Sequence, residues 1–199
     1  ALIAAVRDAG LDVLPWSEHA RELRNRVQAL RAWCPDLGLP DLSDDALLAT
    51  LDVWLAPYLG GKSRIAALRA EELSQALSAL LDFEQRRSLD AQAPVSIRVP
   101  SGNERRIEYT AGQPPVLAVK LQELFGLADT PRIAQGRVPL TLHLLSPAQR
   151  PIQVTQDLRG FWERTYPEVK KELKGRYPRH PWPDDPWNAT PTARAKPRR

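Results

Sequence analysis

The sequence has few of the residues that build disulfide frameworks and metal centres, and it has no long uncharged run of the kind that spans a membrane. It contains one cysteine, three histidines and no methionine among 199 residues. A single cysteine excludes an intramolecular disulfide and a multi-cysteine metal site, and the scattered histidines lack the spacing of metal ligands. The longest stretch without a charged residue is 138–149, whereas a bilayer span needs about 20 apolar residues. The sequence therefore predicts no metal site and no membrane span.

An excess of one charge is small in the whole chain but clear in its parts. The formal net charge of +4 is the sum of −4 over residues 1–91, +2 over 92–158 and +6 over 159–199. A basic C-terminal end indicates an anionic partner such as nucleic acid, although a solvated basic tail without a partner is about as common. Because a helical pattern already covers residues 1–9 without an initial methionine, we expect a piece of a longer protein.

The first 90 residues have helical periodicity. The apolar face of the first long helix recurs at 4-3-4 spacing, at Leu23, Val27, Leu30 and Cys34. Ser17 and Ser43 precede two predicted helices as N-caps, and a third helix is predicted around residues 73–81. We therefore expect a helical subdomain over residues 1–91.

Alternation of apolar and polar residues replaces the helical pattern after Pro94. Five strands are predicted, around residues 95–99, 107–109, 116–120, 138–144 and 152–155. A short helical segment between the third and fourth strands closes on Gly126. The pattern predicts the fold class α+β, with a five-stranded OB-like β-barrel over residues 92–158.

The C-terminal part predicts a helix followed by an extended segment. Pro167 lies inside the helical pattern and predicts either a kink or two helices that meet there. The aromatic and proline residues from Tyr177 to Trp182 predict a strap that packs back onto the barrel or the helical subdomain up to about Pro186. We expect the helix and strap over residues 159–186 and a disordered basic tail over 187–199.

Motifs for nucleotide binding and catalysis are incomplete. The stretch APYLGGKS at 56–63 matches a loosened phosphate-loop pattern. However, helical periodicity precedes it where a phosphate loop needs a strand. In addition, Pro57 lacks one of the backbone N–H groups that would bind the phosphate. No grouping of serine, histidine, cysteine or carboxylate residues supports an active site. The sequence predicts no catalytic residue and no cofactor bound to this chain.

Basic residues of the predicted barrel and of the last helix are the candidate nucleic-acid contacts. OB-fold barrels bind single strands through a basic groove and aromatic stacking, yet the barrel has only Tyr109 and Phe125 as aromatics. A protein-interaction module that binds no nucleic acid is therefore the alternative. The candidate contacts are Arg98, Arg105, Arg106, Arg132, Arg137, Arg150, Lys170, Lys171, Lys174, Arg176 and Arg179.

Several long blocks resemble the C-terminal region of the bacterial HrpB-type ATP-dependent helicases. The blocks are PVLAVKLQELFG at 115–126, LLSPAQRP at 144–151, QVTQDL at 153–158 and KGRYPRHPWPDDP at 174–186. Such long blocks are far more specific than a short motif.

The resemblance implies that this chain is an accessory region of a cytoplasmic DExH-box helicase whose motor domains precede it. The phosphate loop, the Asp-Glu motif and the arginine-bearing motif of the motor have no matching positions here, so ATP and magnesium would bind in the motor domains. The implied role is to guide single-stranded RNA or DNA or to scaffold the motor, with a protein partner as a further possibility. By the same resemblance, the basic residues named above are candidate contacts.

Overall fold

A computed structural model describes residues 1–195, which form two compact units. The first unit comprises residues 1–93 and 109–113, and the second comprises residues 94–108 together with the described residues from 114 onward. No helix in this described range combines the length and the apolar character needed to cross a bilayer.

The first unit is helical, as predicted. Its helices are α1 (Leu2–Ala9), α2 (Glu18–Trp33), α3 (Asp44–Ala49), α4 (Leu51–Trp54), α5 (Ala70–Ser78) and α6 (Phe83–Gln92). Short 3-10 turns at Leu11–Val13, Pro35–Leu37, Ala56–Leu59 and Ile65–Ala67 connect them. The core consists mainly of leucines, since Leu30, Leu51, Leu73 and Leu77 are fully buried.

Side chains that bond to free backbone groups mark the helix ends. The Ser17 hydroxyl accepts a hydrogen bond from the Ala20 N–H at 3.0 Å, and the Ser43 hydroxyl accepts one from the Ala46 N–H at 3.3 Å. Both predicted N-caps are therefore confirmed. The single helix expected after Ser43 is divided at Thr50, whose hydroxyl donates to the Ala46 carbonyl at 2.7 Å.

Helix α6 has little apolar periodicity and was not predicted. Leu89 is its only buried residue. Its start is visible in the sequence as a capping box, in which Asp82 and Gln85 bond to each other's backbone N–H. The buried Arg26 of α2 donates to the Ala93 carbonyl at 2.7 Å just beyond its end.

The second unit contains a five-stranded mixed sheet and a small hairpin. The strands are β1 (Ser96–Arg98), β2 (Glu104–Glu108), β3 (Val116–Lys120), β4 (Arg132–Ile133), β5 (Val138–Pro139), β6 (Thr141–Leu145) and β7 (Pro151–Thr155). The sheet order is β1-β2-β3-β6-β7, and β4 and β5 form the hairpin. Strands β3 and β6 are parallel, and the other pairs are antiparallel.

The closed barrel predicted from the sequence is not confirmed. Within the described residues, β1 and β7 are the two edges of the sheet and do not pair with each other. Pro151 begins β7 without an N–H, which is typical of an edge strand. The fourth predicted strand is also interrupted, because the Leu140 N–H donates to the Pro131 carbonyl at 3.0 Å. Val138 and Pro139 therefore pair with β4, and β6 pairs with β3.

The chain after β7 is helical and then extended. A single turn, α7 (Leu158–Gly160), leads through a π-helical turn (Phe161–Thr165) into α8 (Tyr166–Arg176). The interruption predicted near Pro167 is thus this π-helical turn. Pro167 itself lies in the first turn of α8, where a missing N–H is tolerated.

Residues 177–192, here called the strap, return to the turn that follows β3. The Gly126 N–H donates to the Pro186 carbonyl at 2.9 Å, as expected for a strap that docks at Pro186. The Thr192 N–H donates to the Gln122 carbonyl at 3.0 Å. The disordered tail over 187–199 stays a prediction, and this hydrogen bond gives the backbone at Thr192 a partner. The predicted mobile residues Lys196, Arg198 and Arg199 lie outside the described residues.

Candidate nucleic-acid interface

Arg105, a predicted contact on β2, is bound to a carboxylate of its own chain. Its Nη2 lies 2.8 Å from Oε1 of Glu123, whose side chain is 0% exposed. The Ser101 hydroxyl and the Asn103 amide also donate to that carboxylate, at 3.0 and 2.6 Å. Burial raises the pKa of Glu123, but the hydrogen bonds from Arg105, Asn103 and Ser101 outweigh it, so the pKa lies below its usual value. Arg105 therefore stabilises a buried charge.

Two further predicted arginines also bond within the second unit. Arg98 Nε lies 3.5 Å from a Glu104 carboxylate oxygen. Arg132 donates to the Gly136 carbonyl at 2.6 Å and to the Arg137 carbonyl at 3.3 Å. These guanidinium groups already bond within the chain, so fewer of their N–H donors are available to a ligand.

Arg150 differs from the other arginines that were predicted on the barrel. Arg106 and Arg137 have interaction partners, whereas the Arg150 side chain has none within residues 1–195. It lines a cavity of about 250 Å³ together with Arg176 of α8 and with apolar side chains that include Leu173.

The lysines of α8 form a larger groove of about 430 Å³, here called the lysine groove. It is lined by Trp162, Tyr166, Pro167, Lys170, Lys171, Lys174 and Asp184. In the described part of the chain, Lys171 and Lys174 are exposed and make no ion pair, while Lys170 pairs with Asp184. The groove thus combines three cations with one carboxylate.

Two buried aromatic residues hold the lysine groove in place. The Trp162 indole N–H donates to the Leu127 carbonyl at 2.8 Å, and the Tyr166 hydroxyl donates to the Pro183 carbonyl at 3.0 Å. Their ring centroids are 5.3 Å apart in an edge-to-face arrangement, and Phe125 packs against both. Burial raises the pKa of the Tyr166 hydroxyl, so it remains a neutral hydrogen-bond donor.

Asp184 is the residue of this groove that sequence reasoning missed. The Lys170 ammonium, and more weakly that of Lys174, lowers the pKa of its carboxyl, which is therefore ionised near neutral pH. The groove has a sequence signature, because Trp162, Tyr166, Lys170 and Lys174 follow one another at intervals of four residues. That spacing places them along one side of a helix.

The other predicted contacts of the C-terminal part are more dispersed. Arg176 lies 4.0 Å from Glu172 one turn earlier. Arg179 is exposed in the strap and has no ion pair among the residues described. The structure therefore groups Lys170, Lys171 and Lys174 and leaves Arg176 and Arg179 outside their groove.

The phosphate-loop-like stretch at 56–63 lies in the helical unit, and its first four residues form the 3-10 turn Ala56–Leu59. Its lysine, Lys62, donates to Glu72 at 3.1 Å. Helical backbone precedes the glycines, as the sequence predicted, and the lysine is bound to a carboxylate. In residues 1–195, no group of three or more histidine, cysteine or acidic side chains could hold a metal ion.

Comparison with known proteins gives the same relationship from sequence and from structure. A family described as the ATP-dependent helicase C-terminal region matches residues 54–186. The chain is 48% identical over 196 residues to the ATP-dependent RNA helicase HrpB of Escherichia coli strain K12, covering 98% of this chain and 24% of that protein.

Two crystal structures of E. coli HrpB match the fold. One, described as a DExH-box NTPase, matches with a TM-score of 0.91 at 48% identity, over 96% of this chain and 24% of that one. The other, described as a DEAH/RHA helicase, matches with a TM-score of 0.78 at 45% identity, over 92% and 23%. The chain spans about a quarter of the length of these relatives. It belongs to the family of C-terminal domains of HrpB-type ATP-dependent helicases.

Proposed function

We propose that this chain is the non-catalytic accessory end of an HrpB-type helicase and contacts single-stranded nucleic acid through α8. The observation that carries the proposal is the lysine groove, in which Lys171 and Lys174 have no ion-pair partner among the described residues. Lysine ammonium groups bind phosphate as point charges. RNA is the first choice of ligand because the E. coli relative is named an RNA helicase.

The remaining parts of the proposal follow from the family. In this proposal, ATP and magnesium bind in the motor domains of the parent protein. These motor domains are also the main partner of this chain, and the parent protein is cytoplasmic. The sheet is proposed as a partly open OB-like fold. The OB-fold is itself a partly open five-stranded barrel, and the observed sheet has five strands with free edges.

Salt-dependent binding of single-stranded RNA tests the proposal. Fluorescence anisotropy of a labelled oligouridylate of about 12 nucleotides is measured across a salt series. Each phosphate neutralised on a single strand contributes about 0.7 to the slope of log affinity against log salt. Replacing both Lys171 and Lys174 by glutamine should therefore reduce that slope by about 1.4.

A matched variant controls for net charge. Arg31→Gln combined with Arg87→Gln removes two charges from exposed positions of the helical unit, where both side chains make only 3.8 Å ion pairs. This variant should leave the slope unchanged. If the chain shows no salt-dependent binding of RNA, phosphate contacts are absent, and the protein-interaction module becomes the better account.

The non-catalytic part of the proposal has its own test. Purified chain incubated with ATP and magnesium, with and without oligouridylate, should release no phosphate above the buffer control. Turnover that copurifies with the chain and exceeds that control would contradict the accessory role.

A further inference from the structure

We infer that the lysine groove is a site for backbone phosphodiesters and that Asp184 occupies the phosphate position until a nucleic-acid strand displaces it. The inference rests on the proposed function. It adds that the Asp184 carboxylate competes with the ligand for Lys170 and that the phosphate backbone is the part of the ligand that is bound. In the resting chain the Asp184 carboxylate pairs with Lys170. In the bound chain a phosphate oxygen takes its place.

Charge in the groove is unbalanced in favour of an incoming anion. Three lysines line it, and Asp184 is the only acidic residue among its lining residues. A carboxylate and a phosphodiester each carry one negative charge and accept hydrogen bonds from ammonium groups. One phosphate can replace Asp184 at Lys170, and neighbouring phosphates of the same strand can reach Lys171 and Lys174.

The Asp184 side chain can leave the groove without undocking the strap. It is fully exposed, whereas the Lys170 side chain is only 19% exposed. The backbone is held on both sides of it, at the Pro183 carbonyl by the Tyr166 hydroxyl and at the Pro186 carbonyl by the Gly126 N–H. Ion pairs with an exposed partner contribute little to stability. Displacement therefore requires only a side-chain rotation.

The aromatic residues of the groove indicate which part of the strand is bound. Trp162 and Tyr166 are each 2% exposed, and their polar groups already bond to backbone carbonyls. Stacking of bases needs an accessible ring face, which these buried rings do not offer. The groove therefore contacts the sugar-phosphate backbone, and its binding should not depend on base sequence.

Two neighbouring aspartates provide a matched test. Asp184→Asn removes the resident carboxylate. Asp185→Asn removes the same charge one residue later, where Asp185 bonds to Asn188 and lies outside the groove. Binding of labelled oligouridylate at low salt should tighten about two- to fivefold in Asp184→Asn and stay within about 1.5-fold in Asp185→Asn. Equal tightening in both variants would show that only net charge matters and would overturn the inference.

A double-mutant cycle assigns the effect to Lys170. Lys170→Gln alone should weaken binding, and adding Asp184→Asn to it should then have little effect, because the displaced pair no longer exists. A full effect of Asp184→Asn without Lys170 would overturn the inference. Thermal unfolding monitored by circular dichroism checks that all variants fold.

The same measurements separate this inference from the proposed function. If the wild-type chain shows no salt-dependent binding, the proposed function fails for the resting chain. Binding that appears only in Asp184→Asn would then still support displacement of the carboxylate. Absence of binding in both chains would overturn the inference as well. A preference for one homopolymer over the others of more than about tenfold would contradict backbone recognition.

Discussion

The sheet and the C-terminal segment at 157–192 use charged and polar side chains in opposite ways. On the sheet, Arg105 is paired with the buried Glu123. In the C-terminal segment, buried polar groups bond to backbone carbonyls, and Lys171 and Lys174 of α8 are left to solvent. The comparison teaches that a count of basic residues does not locate a binding surface, because partners within the chain decide which cations are available.

The two regions also differ in how their stability should depend on pH. The Glu123 carboxylate is stabilised by hydrogen bonds that hold its pKa below the usual value. The Trp162 and Tyr166 hydrogen bonds join neutral groups. Acid should therefore weaken the sheet before it weakens the aromatic cluster formed by Phe125, Phe161, Trp162 and Tyr166.

Removal of the Trp162 side chain should cause the largest loss of stability among these changes. Trp162→Ala deletes a buried indole that packs on Phe125, Phe161 and Tyr166, and it should lower the free energy of unfolding by about 3 to 5 kcal/mol. Urea denaturation measures the loss. Trp187→Ala, at a side chain that is 37% exposed, is the control and should cost about 0.5 kcal/mol or less. Equal losses would show that the aromatic cluster is not the centre of this region.

Breaking the buried ion pair between Arg105 and Glu123 should cause the next largest loss of stability, and the size of that loss should depend on pH. Arg105→Met leaves the Glu123 carboxylate buried with only Asn103 and Ser101 as side-chain donors, so unfolding near pH 7 should become easier by about 3 kcal/mol. The wild-type pair stabilises the fold above the usual pKa of glutamate and stops doing so as the pH falls through the lowered pKa.

The difference between wild type and Arg105→Met should therefore shrink in acid, because Glu123 becomes protonated at a higher pH in the variant. Urea denaturation over a pH series measures this change. The control is Arg98→Met, whose wild-type ion pair is exposed and longer, and its effect should be about 1 kcal/mol or less at every pH. A pH-independent loss in Arg105→Met would contradict the assignment of a charged Glu123.

Truncation of the strap should cause the smallest losses of stability, and comparing two truncations should locate the end of its docked part. A chain ending at Arg176 loses the partner of the buried Tyr166 hydroxyl and the bond from Gly126, which should cost about 2 kcal/mol. A chain ending at Asn188 loses the Thr192 bond to Gln122, which should cost about 1 kcal/mol or less. Thermal unfolding compares the two truncations. Identical melting temperatures for both truncated chains would show that the strap is not docked.

Local structure was largely predictable from the sequence. Ser17 and Ser43 cap helices because a short hydroxyl side chain before an apolar period is a local arrangement. Strand β3 and the turn ending at Gly126, with φ of 87°, also lie where the pattern placed them. Helix α6 was not predicted because a single buried leucine gives no repeating apolar pattern along the sequence.

The candidate site was only partly predictable. Lys170, Lys171 and Lys174 were named from their charge and their place on a helix, and they line one groove. The same argument named Arg105 and Arg132, which bond within the chain. Charge is visible in a sequence, but the distance from a charge to its partner is not.

The sequence by itself determined most of the helical and strand segments, the N-caps, the place of the interruption near Pro167 and the membership of a helicase family. These depend on neighbouring residues or on long blocks of family-like sequence. Only the tertiary structure decided that the sheet is open, that Glu123 is buried beside Arg105 and that Asp184 meets Lys170. The two ion pairs join residues fourteen and eighteen positions apart, and no local pattern of residue types determines which distant pairs will meet.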